Sequence, residues 1–350
     1  MEEYPVIVVG SGPAGAACAK ALKHEHIEAL VIEKEKLPRN KICSGILFGQ
    51  TQLLLEKYFG ALPPEDMYCD PKIIKASHIQ EWNIHKGFSR YTWEISKDGQ
   101  TFPQDYYNVW RNEFDFWLLN KSGMPYKDEC RYLKHSVHGK TIHVNVLMKG
   151  KDNQDLYCAY LVGADGANSQ FRKGMDRSYN EPNNEIVIYQ TYYRFSDMGR
   201  LEDAHWYVFF EPQIGDMLSC VHRKDEFLTL CVGGFKGRNL KESMEELKRF
   251  LANNFHVVLN DRERGEGCVL KQTYPFCGKA DKVLLAGEGA GMMYLNGEGI
   301  SAALDSGYQA GISIAQGIKK GGDVLDIYKK KTEGIVNHVK LCSQRLHFLV

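Results

Sequence analysis

The chain has 350 residues, 43% hydrophobic and 25% charged, an ordinary globular composition with room for two lobes around a split core. Its 44 Lys and Arg balance 44 Asp and Glu, so no net field recruits nucleic acid or an anionic membrane. No apolar run approaches the roughly 20 residues of a membrane span, the first one, Val6 to Val9, follows glutamates rather than a basic leader, and the ten cysteines contain no C-x-x-C pair. Reduced thiols in the cytoplasm and no metal site are expected from that pattern.

Residues Val6 to Gly15, VIVVGSGPAG, read as a buried parallel strand entering a glycine turn and then a helix. Gly10 permits the tight turn, Gly12 lets backbone approach a pyrophosphate, and Gly15 lets the helix pack on the strand, with Pro13 and Ala14 opening the helix. The helix that follows, AACAKALKH, turns its N-terminal amides and dipole toward the phosphates. A second apolar strand, Ala29 to Ile32, ends at Glu33 and Lys34. An acid at Glu33 accepts hydrogen bonds from adenosine ribose hydroxyls and repels a 2′-phosphate, which selects FAD or NAD over NADP.

Lys36 to Gly45, KLPRNKICSG, mixes proline, basic residues and Cys43 where the chain leaves the second strand and must cross the cofactor; the helical stretch FGQTQLLLEKYF follows. From Ile73 to Phe102, β-branched and aromatic residues alternate as in an antiparallel excursion, and Val109 to Asn120 then carries apolar residues at helical spacing. The stretches RYLKHSV and TIHVNVL form a hairpin about His138-Gly139.

Leu161 to Arg172, LVGADGANSQFR, ends a strand in a small-residue turn that brings Asp165 and Gly166 to the ribityl or pyrophosphate. Residues Glu185 to Gly234 return to strand alternation, and Leu240 to Phe255 is an amphipathic helix backing that sheet. Lys282 to Gly299, KVLLAGEGAGMMYLNGEG, again sends a strand into a glycine turn and then into a helix from Ile300 to about Ile318. Gly287 and Glu288 bring an acid to a ribityl chain, and the helix N-terminus behind Gly297, Gly299 and Ile300 faces the pyrimidine carbonyls of a flavin. That combination selects FAD over NAD.

Taken in order, GSGPAG with Glu33, GADGANSQFR and LLAGEGAG…NGEGISAALDSG resemble the three fingerprints of the p-hydroxybenzoate-hydroxylase-like FAD superfamily. Within it, Pro38 to Gly45, PRNKICSG, is similar to the P-x-x-x-x-C-x-G segment of the geranylgeranyl reductase and FixC-like branch, which also holds the bacterial colicin M resistance flavoprotein. The resemblance implies an α/β fold: a Rossmann-like FAD/NAD(P)-binding domain made of residues 1–72, 103–178 and 275–350, with an inserted antiparallel-sheet substrate domain of residues 73–102 and 179–274. Gly10, Gly12, Gly15 and Glu33 would hold the ADP half. Arg39 and Arg111 would lie near the flavin, on either an anionic substrate or an FAD phosphate, and Cys43, with Ser44 and Gly45, near the isoalloxazine. Cys43 is then either a proton donor or a small residue packed on the ring. The W-x-W-x-I-P segment of the related halogenases is absent, and the reductases' Y-x-W-x-F-P signature is reduced to Leu218–Arg223.

The aromatic set Trp82, Tyr91, Trp93, Tyr192, Trp206, Tyr207 and Phe209 is the candidate lining of an apolar substrate pocket, with His205 and His222 as acid–base candidates. One G-x-G-x-x-G implies one dinucleotide domain, so electrons come from transient NAD(P)H or from a ferredoxin-like protein. The expected activity is FAD-dependent reduction of carbon–carbon double bonds in an apolar, isoprenoid or lipid substrate. A flavin monooxygenase and a non-catalytic electron carrier are the alternatives. The C-terminal stripe Ile335, Val339, Cys342, Leu346 and Leu349 is read as a core-facing helix, with peripheral membrane contact as the alternative.

Overall fold

The computed structural model describes residues 2–75, 79–83, 87–91, 103, 105–180, 185–271, 274–280, 282–294 and 297–346. The first part of the chain runs β1 (Glu2–Val9), α1 (Pro13–His24), β2 (Ala29–Ile32), β3 (Ile46–Leu47), α2 (Gly49–Phe59), β4 (Tyr68–Lys75), β5 (Ile79–Asn83) and β6 (Gly87–Tyr91). It continues as β7 (Asp105–Val109), α3 (Arg111–Ser122), β8 (Tyr126–Lys127), β9 (Cys130–His138), β10 (Thr141–Met148), β11 (Asn153–Gly163) and α4 (Gln170–Lys173). The remainder is β12 (Glu185–Asp197), β13 (Tyr207–Phe209), β14 (Ser219–Lys224), β15 (Phe227–Phe235), α5 (Leu240–Phe255), β16 (Val258–Lys271), β17 (Gly278–Ala280), β18 (Val283–Leu285), α6 (Ile300–Lys320) and α7 (Val324–Leu346).

Three sheets result. In the first, β8, β2, β1, β11 and β18 are parallel neighbours, extended by antiparallel β17 on one edge and by the β9–β10 hairpin on β11. Both faces are covered, so strand sequences such as VIVV and ALVI are apolar at every position. Val6, Val8 and Val31 pack with α1 and α6, while Ile7, Leu30 and Ile32 pack with the hairpin and with Ile335 and Val339 of α7. Those two residues of the C-terminal stripe are thus core; the side chains of Cys342, Leu346 and Leu349 lie outside the described residues. Among the described residues no helix is long and apolar enough to cross a membrane.

The second sheet has the order β16-β12-β15-β14-β13-β5-β6. One of its faces, with Leu228, Leu230 and Val232, packs on Met244, Leu247 and Leu251 of α5. The stretch read as one antiparallel excursion divides: β4 pairs with β7 in a small sheet with β3, and β5 joins the second sheet parallel to β13. The helix read from Val109 begins at Arg111, because Val109 is still paired in β7 and Trp110 is an extended N-cap.

Helices α1 and α6 meet backbone to backbone. A Cβ on Gly307 would stand 2.0 Å from Ala14 O, and one on Gly311 would stand 2.7 Å from Cys18 O. Gly307→Val therefore cannot be absorbed by a side-chain movement. It is expected to destabilise the protein by about 1–3 kcal/mol or more, seen as a lower urea midpoint, whereas alanine at exposed Lys320 leaves the midpoint in place.

Candidate functional site

A cavity of about 1780 Å³ opens at the C-terminal ends of β1, β2 and β11 and extends to the second sheet. This is the position where open parallel sheets bind ligands, and the volume exceeds the 300–1,000 Å³ or so of ordinary small-molecule pockets. Gly10, Gly12, Pro13 and Ala14 line it. Gly10 has φ +108° and a Cβ there would stand 2.3 Å from Ala164 O, so the turn excludes any other residue. Gly15 lies beneath the cavity, where a Cβ would meet Gly10 O at 1.9 Å. Helix α1 starts on Gly12 with no side-chain cap and Pro13 in its first turn, which leaves its N-terminal amides and dipole to an anion.

The sequence candidates Glu33, Lys34, Arg39, Cys43, Ser44, Arg111, Asp165, Gly166, Glu288, Gly297, Gly299 and Ile300 also line this cavity. Glu33 accepts hydrogen bonds from Ser11 N (3.1 Å), Ser11 Oγ (2.7 Å), Glu35 N (3.2 Å) and Arg39 Nε (3.1 Å). Burial opposes its charge, but Arg39 and these donors prevail and hold the carboxyl below its usual range. Oε2 is crowded and Oε1 carries only the Glu35 amide, so a ribose hydroxyl has room on Oε1.

From Glu33 a chain of charges runs toward Cys43. Arg39 reaches Asp115 Oδ2 at 3.4 Å, and Arg111 grips the same carboxylate through Nε (2.8 Å) and Nη2 (3.0 Å). Arg111 also lies close enough to Cys43 for the two to interact electrostatically. Burial disfavours the guanidinium charge, but Asp115 more than offsets it. Asp115, which sequence reasoning missed, sits one turn along α3 from Arg111, an i,i+4 spacing that was visible.

Cys43 itself rests on a loop stitched to the second sheet. Gln190 Nε2 donates to Cys43 O (3.2 Å), His222 Nε2 to Ser44 O (3.2 Å), and Lys224 Nζ to Ser44 O (2.8 Å), Asn108 Oδ1 (2.7 Å) and Val109 O (2.7 Å). Gly45 N donates to Cys43 Sγ at 3.4 Å. Gly45 does not line the cavity; its φ is +71° and a Cβ would strike Val109 O at 2.1 Å and Lys224 Nζ at 2.7 Å. Burial pushes Lys224 down, and burial together with Lys224 pushes His222 down to about 3. His222 thus donates to the loop through Nε2, and burial and Lys224 both oppose its charge. His205 binds Asp203 O (2.6 Å) away from the cavity. Gln190 and Lys224 were missed, although His222 and Lys224 stand two apart on one strand and so share its cavity face.

Two acceptors wait in the wall. Asp165 Oδ2 takes Phe171 N (3.2 Å), but its Oδ1 is buried without a hydrogen-bond partner, as is Glu288 Oε1. Burial pushes the Asp165 carboxyl up, and Glu288 faces Lys41 at 3.7 Å. Gly287 lies behind the wall, its N donating to Ser306 Oγ (2.9 Å). At the start of α6 the picture differs from the sequence reading: Ser301 N is already bound by the buried Glu298 carboxyl (2.8 Å), whose pKa burial raises. The features fit FAD: uncapped amides for a pyrophosphate, and buried lone acceptors for the hydroxyls of ribose and a ribityl chain.

The aromatic candidates separate. Trp206 lines the cavity. Phe209 and Tyr207 do not: they face α5 and pack in its core with Phe255, because their strand positions point away from the cavity. Tyr192 lines a small adjoining pocket with Trp110, Arg264 and Lys224 instead. The side chains of Trp82 and Tyr91, and Trp93 altogether, lie outside the described residues.

The Asp165 carboxyl gives a pH signature. Its folded pKa is raised above 3.8, so its contribution to folding is complete below that value and is lost as pH rises through the folded pKa. Flavin-free Asp165→Asn is expected to melt above wild type at pH 8 and to converge with it near pH 4 in scanning calorimetry. Equal melting at pH 8 would show that the carboxyl carries no burial penalty.

A protein of Escherichia coli O157:H7, CbrA, is 26% identical to the chain over 322 residues, covering 87% of this chain and 82% of CbrA. Among solved structures, a geranylgeranyl bacteriochlorophyll reductase-like protein from Thermoplasma acidophilum superposes with a TM-score of 0.79 at 17% identity, over 99% of this chain and 86% of that one. The p-nitrophenol 4-monooxygenase of Pseudomonas putida DLL-E4 gives 0.71 at 17% identity, over 97% and 89%. The fold is thus shared with both, and since the FAD binding domain model matches residues 3–340, the chain belongs to the FAD binding domain family.

Proposed function

We propose that this FAD-dependent oxidoreductase reduces carbon–carbon double bonds of an apolar, isoprenoid or lipid substrate, with electrons from NAD(P)H or a reduced ferredoxin-like protein. The observation that carries the reading is the Cys43 thiol on the cavity wall, bonded by the Gly45 amide and influenced by Arg111, in a lining that also includes apolar Ile46, Phe48, Trp206 and Leu218. Bound FAD supplies the hydride, from N5 of its reduced ring. Cys43 delivers the proton that completes the saturated bond, and the Arg111 guanidinium stabilises the thiolate left behind. The apolar wall keeps water from that carbon. The name of the Thermoplasma neighbour supports a reductase, and that of the Pseudomonas neighbour supports the monooxygenase alternative.

The purified protein is expected to be yellow and to release intact FAD on denaturation. Glu33→Ala should lower FAD occupancy on dilution, measured by fluorescence of the released flavin; full retention would displace the adenosine from Glu33. Anaerobic oxidation of the reduced flavin by apolar alkenes tests the reaction, and Cys43→Ala should slow it about 100-fold or more with FAD content unchanged. Oxygen uptake coupled to substrate would instead establish the monooxygenase, and reaction with neither substrate nor oxygen would point to the carrier.

A further inference from the structure

Five of the cysteines, Cys43, Cys130, Cys220, Cys231 and Cys268, line the same cavity. Two of them are paired by the sheet. Cys220 on β14 and Cys231 on β15 stand directly opposite each other in the antiparallel register. Opposed residues share a face with Cα atoms about 4.5–5.5 Å apart, inside the roughly 4.4–6.8 Å that a disulfide spans. Their strand neighbours Val221, Leu230 and Val232 are committed to the α5 core, which turns both sulfurs to the cavity side. The two thiols are close enough for each to shift the other's proton affinity.

We propose that Cys220 and Cys231 are a redox pair that closes reversibly to a cross-strand disulfide in the cavity wall, with hydrogen peroxide as the oxidant. The Cys220 thiolate attacks one peroxide oxygen and breaks the O–O bond; the departing hydroxide takes up the thiol proton and leaves as water, and Cys220 becomes a sulfenic acid. Cys231 sulfur then attacks that sulfur, forming the S–S bond, while its proton and the displaced hydroxide leave as a second water. Two electrons pass from the thiols to peroxide, which is reduced to two waters. Reduced flavin reacting with oxygen is a source of peroxide beside the pair, but the pairing itself stands on strand register and not on the flavin.

The order of attack follows from the surroundings. The facing Cys231 and the nearby Trp206 outweigh burial and lower the proton affinity of Cys220, while the facing Cys220 and burial raise that of Cys231. Cys268 is pushed by burial up to about 11 and stays a thiol. Cys43 is engaged by Gly45 N on its loop.

The full chain, in FAD-bound and flavin-stripped forms, is treated with stoichiometric hydrogen peroxide, alkylated with iodoacetamide and mapped by mass spectrometry without reduction. The expected result in both forms is one peptide pair joined through Cys220 and Cys231, two alkylation sites lost per chain, and both restored by dithiothreitol. In Cys231→Ser, Cys220 should be trapped as a sulfenic acid by dimedone; in Cys220→Ser, Cys231 should stay alkylatable. Wild-type protein that keeps both thiols alkylatable, accumulates sulfinic acid at Cys220, or joins either cysteine to Cys43 or Cys268 overturns the proposal. The flavin-stripped arm separates this outcome from any failure of the reductase reading.

Discussion

The contact between α1 and α6 governs the rest of the molecule. It is made by Ala14, Cys18 and Ala21 on one side and Gly307 and Gly311 on the other, so main chain meets main chain with no side chain larger than a methyl group at the contact. Side chains adjust by changing rotamer, but backbone does not, and the two helices are held at one distance. Both helices begin at the cavity, α1 beneath the first turn and α6 behind Glu298. The small residues that permit this approach are thus what places two positive dipole ends around one ligand.

Those ends are used differently. The start of α1 is uncapped and open to an anion, whereas α6 is closed by a carboxyl of its own chain. Nearby, Glu33, Arg39, Asp115 and Arg111 alternate in sign and their formal charges sum to zero. Removing any one of such buried partners leaves the next charge uncompensated, which is how a neutral chain of groups fixes its geometry without attracting a free anion. The uncapped amides and dipole of α1 are the part of this wall left open to an anion.

Much of this was legible in the sequence because its signals are local. The strand, glycine turn and helix at Val6–His24, the hairpin at Gly139 and the helix Leu240–Phe255 each declare themselves within one stretch. What was not legible depends on facing. Phe209 and Trp206 are three residues apart in an aromatic run, yet one is core and the other lines the cavity, a distinction set by which sheet face α5 covers. The contacts of Asp115 with Arg39, Gln190 with Cys43 and Lys224 with Ser44 act across 76 to 180 residues of chain, and only the Asp115 pairing with Arg111, one turn away, was announced nearby in sequence. The division of Ile73–Phe102 between two sheets is of the same kind, since alternation marks a strand without naming its neighbour.

The Cys43–Gly45 loop belongs by sequence to the nucleotide-binding side, but its carbonyls are held by Gln190, His222 and Lys224 of the other sheet. A ligand on the second sheet that touches these donors therefore acts on the loop they hold. By thermodynamic reciprocity, a ligand on one side that tightens these bonds strengthens binding on the other by the same factor, and one that loosens them weakens it equally. Any such coupling would run through three hydrogen-bond donors, with no hinge or domain rotation required.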